Sequence, residues 1–262
     1  MTNKEEISLV DFLSKLMKKN IREDGRKLLD YRKIEIKTNT LSQANGSARV
    51  KLGDTEVFVG VKLGVGTPFP DTPNDGVLMV NAELNPLSSR NFDIGPPSPA
   101  AIELARVIDR AIRESNTIDT EKLCITPKEK VWMVFVDIYP VNDGGNLFDA
   151  GLLGAIAALK SARFPKYDKK EEKVDHRELT NEKIPLNDEP LMCTFGKIKD
   201  IIFVDQTNRE EKVAESRLSV GISKSGNVCA MQKGGEGTFT QQEIMDCIKQ
   251  SQTLSKTLRK YI

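Results

Sequence analysis

The sequence predicts an α+β fold in a single domain with an internally doubled plan, and three observations carry that reading. A run of short, alternating, β-branched segments ends in a helix at 99–115, and a second run ends in another at 240–261. The chain has 262 residues, 39% hydrophobic and 29% charged, enough for a sizeable core beneath a soluble surface. A leading helix over about 5–18 precedes two halves, about 20–125 and 126–262, within the one domain of 1–262.

Each element has its own warrant. Glu5–Lys18 sets Ile7, Val10, Leu13, Leu16 and Met17 at helical intervals, with acids early and lysines late, as the helix dipole favours. Arg22–Arg26 ends it with a glycine turn, and Ile34–Lys37 alternates as a short strand. Ser47–Leu52 and Thr55–Leu63 flank Gly53-Asp54, a tight hairpin signal. Gly64–Gly76 reads as a loop, Val77–Leu84 as a strand, and Asn85–Pro97 as the approach to the first long helix.

Lys130–Tyr139 is strongly strand-like, and Asp143-Gly144-Gly145-Asn146 turns the chain into a helix over Leu147–Ala162. Its small residues predict deep burial. Lys166–Lys183, dense in both charges, is expected to be an exposed connector. Strands follow at Leu191–Ile198, Asp200–Val204, Glu215–Ile222 and Asn227–Gln232, then a turn at Gly234–Gly237. Thr240 caps the last helix, Gln241–Tyr261.

The helix over 99–115 has two sides. Ser98 is placed to cap it and Pro99 suits the first helical position, where a missing N–H costs least. Ala101, Ala105, Ile108 and Ile112 fall on one side, and Arg106, Arg110 and Arg113 fall together on another. A row of guanidinium groups suits a polyanion, because each can fork onto a phosphate. The same row also suits ion pairs with Glu103, Asp109 and Glu114, such as Arg110 with Glu114. Spacing alone leaves both open.

Composition excludes several function classes. Lys+Arg 39 against Asp+Glu 38 is no general polycation, so contact with nucleic acid must use a local patch. Cys124, Cys193, Cys229 and Cys247 lie far apart with no C-x-x-C pair, which suggests neither zinc nor a disulfide framework but a reducing compartment. His176, the only histidine, sits in a charged stretch and is no candidate for a triad base. No run reaches the ~18 apolar residues of a membrane span, so a cytoplasmic protein is expected.

Four stretches occur in one order: N-I-R-E-D-G-R (Asn20–Arg26), G-P-P-S-P-A-A-I-E-L-A-R-V-I-D-R, V-D-I-Y…N-D-G-G-N (Val136–Asn146) and I-F-V-D-Q-T-N-R-E-E (Ile202–Glu211). Together they resemble the RNase PH family of phosphorolytic 3′→5′ exoribonucleases, over about residues 20 to 260. Within it, the chain looks most like the non-catalytic RNase-PH-like subunit of the archaeal exosome. The resemblance implies the RNase PH fold, with duplicated βαβα units like domain 2 of ribosomal protein S5 and an N-terminal helix.

The departures from the family are specific. Phosphorolysis must hold two anions together, the attacking phosphate and the scissile phosphodiester. Active members carry an Arg-Arg pair just before the E-I-x-L helix; here that place is Pro99-Ala100. Their D-A-G-[ST]-R turn reads Asp143-Gly144-Gly145-Asn146-Leu147. Their two acids six apart align with Glu211 and Arg217. The resemblance therefore implies no catalytic residue, no metal and no cofactor in this chain, with inorganic phosphate used at a partner's site.

It further implies a catalytic RNase-PH-like partner in a hexameric ring of three heterodimers, RNA-binding cap proteins, and single-stranded RNA held by Arg106, Arg110 and, less centrally, Arg113. Glu211 on this reading is a solvated surface acid. Two alternatives stay open: an independently active phosphate-dependent exoribonuclease with a rearranged site, and a plain RNA-binding module.

Overall fold

The computed structural model describes residues 4–168 and 173–262. Helix α1 (Lys4–Met17) is followed by strands β1 (Ile34–Thr38), β2 (Gly46–Leu52), β3 (Thr55–Gly66) and β4 (Val77–Ala82), then helix α2 (Pro99–Glu114). Strands β5 (Cys124–Thr126) and β6 (Lys130–Asn142) complete the first sheet, in the order β1-β2-β3-β6-β4, with β5 also on β6. β4 runs parallel to β6, so α2 is the crossover between them. Helix α3 (Leu147–Ser161) leads to β7 (Arg163–Asp168) and β8 (Lys173–Lys183), an antiparallel pair outside both main sheets.

The second sheet holds β9 (Leu191–Ile198), β10 (Ile201–Val204), β11 (Ser216–Ile222) and β12 (Val228–Gly235), in the order β10-β9-β11-β12, all antiparallel. A short helix, α4 (Asn208–Val213), precedes β11, and α5 (Gln241–Leu258) closes the chain with a 3-10 turn at Arg259–Tyr261.

Period-two burial explains why α3 is central. Val57, Val59, Val61 and Leu63 of β3 and Ala48, Val50 and Leu52 of β2 are buried, and α3 packs on those two strands. On its other side α3 meets β9, whose eight residues are all buried. Thr194 of β9 bonds to Asp149 of α3, while the adjacent Cys193 faces Ser251 of α5. The second sheet is thus covered on both faces, and α3 is buried from Phe148 through Leu159. One apolar cluster runs through both sheets and α2, α3 and α5. A smaller one, including Leu13, Met17, Phe203 and Val213, docks α1; Ile7 at its outer end stays exposed.

Three readings from sequence are corrected. The sheets do not divide at 125/126: β6 and α3 belong with the first sheet, and the second begins only at Leu191. Lys166–Lys183 is no plain connector: residues 169–172 lie outside the described residues, and the rest belongs to the paired strands β7 and β8. Its charges pair across the ribbon, Lys166 Nζ to Glu178 Oε2 at 2.8 Å, so a solvated two-stranded element looks like a charged loop. The turn expected at Gly234–Gly237 begins as the end of β12. α4 escaped notice, although Thr207 and Glu210 form a capping box that the sequence spells out.

Candidate functional site

Four elements meet at one small cavity of about 170 Å³. The N-terminus of α2 brings Ala100 and Glu103, the turn before α3 brings Asp143, α3 brings Leu147 and Phe148, and Glu211 and Arg217 come from α4 and β11. Leu84 and Phe92 close the side next to α2. Ala100, Asp143, Leu147, Glu211 and Arg217, which the resemblance aligns with the family's working groups and which lie far apart in the chain, are therefore gathered in one place.

What fills that place is not suited to anions. Arg217 Nη2 donates to Glu103 Oε1 at 2.6 Å, and its guanidinium lies 4.1 Å from the centroid of the Phe148 ring. Gly234 across the strand pair leaves room for it; a Cβ there would come within 2.7 Å of Arg217 Nη2. Gln232 adds a second donor to Glu103 at 3.3 Å. Arg217 Nε is buried without a hydrogen-bond partner. One occupied guanidinium thus faces three carboxylates, those of Glu103, Asp143 and Glu211.

Glu211 is not the purely solvated acid expected from its neighbours. Its Oε1 accepts the Asn146 N–H at 2.7 Å. Withdrawal from water by the surrounding protein pushes its carboxyl up to about 7, against that hydrogen bond, with Asp143 pushing the same way and Arg217 opposing. Its surface is still open to solvent, so water screens part of this rise. Asp143 is also raised, first by burial. With Arg217 committed to Glu103, the cavity has no free positive charge to offer a phosphate beside these acids. Among the described residues no group of three His, Cys, Asp or Glu side chains is arranged to hold a metal ion.

The turn itself is held from below. Gly145 has φ +92°, and a Cβ would lie 2.6 Å from Gln206 O. Asn146, also left-handed at φ 60°, turns its side chain inward: Nδ2 donates to Asp149 Oδ2 and Asp205 Oδ1, both at 2.9 Å, and Oδ1 caps α3. Arg32 donates to Gly144 O at 2.7 Å and Gly145 O at 3.0 Å while gripping Asp205 through Nε and Nη2. Arg26 Nη1 reaches Asp205 Oδ2 at 2.8 Å. Arg22 is buried against Glu210 and donates to Val204 O and Asp205 O, each at 2.7 Å. The Asn20–Arg26 and Ile202–Glu211 stretches are thus one buried polar seam supporting the turn.

Asp149 is a further buried acid of the seam. Burial pushes it up to about 6, against donors from Asn146, Thr194 and Tyr31 that favour its ionised form. Tyr31 Oη donates to it at 2.8 Å, and Thr194 supplies both its hydroxyl and its N–H.

α2 carries the arginine row away from the cavity. Ser98 Oγ accepts the Ala101 N–H, as the cap requires. The buried side is wider than expected: Ala101, Leu104, Val107, Ile108, Ala111 and Ile112 are buried, and Ala105 only partly. Arg106, Arg110 and Arg113 are all exposed. Arg113 is engaged, with Asp109 at 2.8 Å and with Leu78 O at 3.1 Å. Arg106 and Arg110 have no ion pair or hydrogen bond among the described residues, and the pairing of Arg110 with Glu114 is not formed. His176 lies exposed on β8, and the four cysteines are free, Cys193 and Cys247 buried.

Comparison with known proteins gives one answer. The model of the 3′ exoribonuclease family matches twice, its domain 1 over residues 30–165 and its domain 2 over residues 188–253. The exosome complex component Rrp42 of Methanothermobacter thermautotrophicus is 43% identical over 250 residues, covering 92% of each chain. That of Thermococcus kodakarensis is 46% identical over 236 residues, covering 90% of this chain and 87% of the relative. Among solved structures, a chain of the Archaeoglobus fulgidus exosome with RNA bound to the active site superposes with a TM-score of 0.91 at 41% identity, covering 98% of this chain and 99% of that one.

Proposed function

We propose a function from one premise: this chain belongs to the 3′ exoribonuclease, or RNase PH, family. It is a non-catalytic subunit of an archaeal exosome, a cytoplasmic ring of three heterodimers in which a related subunit performs 3′→5′ phosphorolysis. Inorganic phosphate acts at the partner's site. This chain completes the wall of that site and lends positive charge to the single-stranded RNA approaching it, through Arg106 and Arg110.

The observation that carries this reading is the cavity where the family's chemistry would sit. It must hold two anions, yet it offers Ala100 and three carboxylates around a guanidinium already paired with Glu103. The names of the relatives support the assembly, and the unpaired guanidinium groups one helical turn apart support the RNA contact. Arg113, already held by Asp109 and Leu78, has the weaker claim.

The test is phosphate-dependent release of nucleoside diphosphates from single-stranded RNA. The chain alone should match a Glu211→Ala, Arg217→Ala control, and a 1:1 mixture with a catalytic relative should be active at the mass of a six-membered ring. Turnover by the chain alone, well above the control, would overturn the reading.

A further inference from the structure

A second cleft, of about 420 Å³, shares no lining residue with the cavity just described and opens between the β7–β8 hairpin and the β5–β6 edge. Three half-buried rings gather in it. Trp132, the chain's one tryptophan, stands on β6, with Phe164 at 5.1 Å and Tyr167 at 5.8 Å on β7. Their planes meet the indole at 55° and 69°, so neither ring stacks flat on it.

The polar groups around the rings differ in kind. Glu182 lines the cleft, and its carboxylate has no hydrogen bond or ion pair among the described residues. Lys122 and Lys166 stand on the rim in exposed pairs, with Asp119 at 2.7 Å and Glu178 at 2.8 Å. Exposed pairs of this sort exchange readily for another anion.

We propose that this cleft binds single-stranded RNA, stacking one base against the Trp132–Tyr167 rings, with Glu182 accepting from the base's exocyclic amino group and the two lysines meeting flanking phosphates. An aromatic platform with ammonium groups nearby is how single strands are held without a duplex. A basic peptide would be repelled by the lysines and an acidic one by Glu182. A ligand with an anionic backbone and amino-bearing planar groups satisfies both. Adenine, cytosine and guanine carry such an amino group and uracil does not, so the cleft prefers the former. The choice of RNA as the source rests on the function proposed above.

The single tryptophan makes the test direct. Titrating the chain with oligo(A) should quench Trp132 fluorescence saturably, about five-fold more tightly than oligo(U), the scale of one hydrogen bond, and more tightly than adenosine monophosphate. Tyr167→Ala should weaken oligo(A) about ten-fold, the scale of one lost base stack. Glu182→Ala, a change at an exposed side chain, should abolish the preference for oligo(A) while leaving oligo(U) unaltered. The Arg106→Ala, Arg110→Ala variant should keep the quenching, which separates this cleft from the arginine row. Absence of saturable quenching by any oligonucleotide overturns the proposal. So does an oligo(A) preference that survives Glu182→Ala. Equal affinity for the mononucleotide would make the cleft a nucleotide site, and tighter quenching by a Lys/Arg-rich peptide would make it a protein-docking site; either result defeats the RNA assignment.

Discussion

Arg22 and Arg32 differ from Arg106 and Arg110 in everything except side-chain chemistry. Each nitrogen of the Arg22 and Arg32 guanidinium groups has an acceptor in the seam beneath the turn. The other two arginines stand on a helix face with no ion pair or hydrogen bond among the described residues. A buried charge must be neutralised and bonded where it lies, because leaving water is otherwise too costly. An exposed charge keeps its hydration and can trade it for a ligand. One pair builds the scaffold of this fold, and the other is free to act.

Breaking the buried set should have the largest effect. Arg22→Ala leaves Glu210 without its ion-pair partner, orphans the Val204 carbonyl and leaves Asp205 O only Arg26 Nη2 at 3.2 Å, so it should cost about 3–5 kcal/mol in denaturant unfolding. The double change Arg22→Met, Glu210→Leu should recover only part of that, since the Val204 carbonyl stays unpaired and Thr207 loses its acceptor. A double variant as stable as the parent would show that the seam is dispensable.

Asp205 of the seam and Glu211 of the cavity should also respond to pH in opposite senses. Burial alone would raise the Asp205 carboxyl, but Arg32 and Asn146 outweigh it and hold it below the ordinary value. Its stabilisation is therefore present above the usual carboxylate range and lost as pH falls through the lowered pKa. Asp205→Asn should destabilise at neutral pH by less than Arg22→Ala, because one acceptor oxygen is kept, and the deficit should shrink in acid. Glu211 runs the other way: with its carboxyl pushed up to about 7, the folded state loses stability as pH rises from the ordinary glutamate range through 7. Glu211→Gln keeps an acceptor for the Asn146 N–H, so it should melt higher than the parent above pH 7 and coincide with it near pH 4, as ~4.3 is the unperturbed value. Parallel melting curves across that range would mean that solvent screens Glu211 fully.

These outcomes bear on how much the sequence could tell. Apolar periodicity and caps made most of the elements legible, including the Ser98 cap and the length of β6 to within a few residues. The ordered motifs were legible as a family signature, but their work was not. Arg22, Asp205 and Glu210 look like surface charges in N-I-R-E-D-G-R and V-D-Q-T-N-R-E-E, and only the fold brings residues 22 and 210 together. The pairing of Arg217 with Glu103 was illegible for the same reason, since it joins β11 to α2. The β7–β8 ribbon was hidden because its charges satisfy one another across strands, which composition cannot show. Phe164 and Tyr167, alternating with charges, were the available signal.

The exposed set should give the smallest stability effects and the sharpest functional ones. Arg113→Ala removes an i,i+4 pair with Asp109 and a bond to Leu78 O, and should cost about 0.3–0.5 kcal/mol. Arg106→Ala and Arg110→Ala remove no hydrogen bond or ion pair among the described residues, so each should fall within about 0.5 kcal/mol of the parent. RNA binding should invert that order. Each phosphate contact released should lower the slope of log affinity against log salt by ~0.7 for a single strand. Measured on the assembled complex, the Arg106→Ala, Arg110→Ala double variant should lose about 1.4 from that slope, twice the single-contact value, and degrade long RNA more slowly. Arg113→Ala should leave the slope unchanged, because its guanidinium is already committed to Asp109 and Leu78. An unchanged slope in the double variant would reduce Arg106 and Arg110 to ordinary surface charge, and a loss on Arg113→Ala would mean that RNA can displace the Asp109 pair.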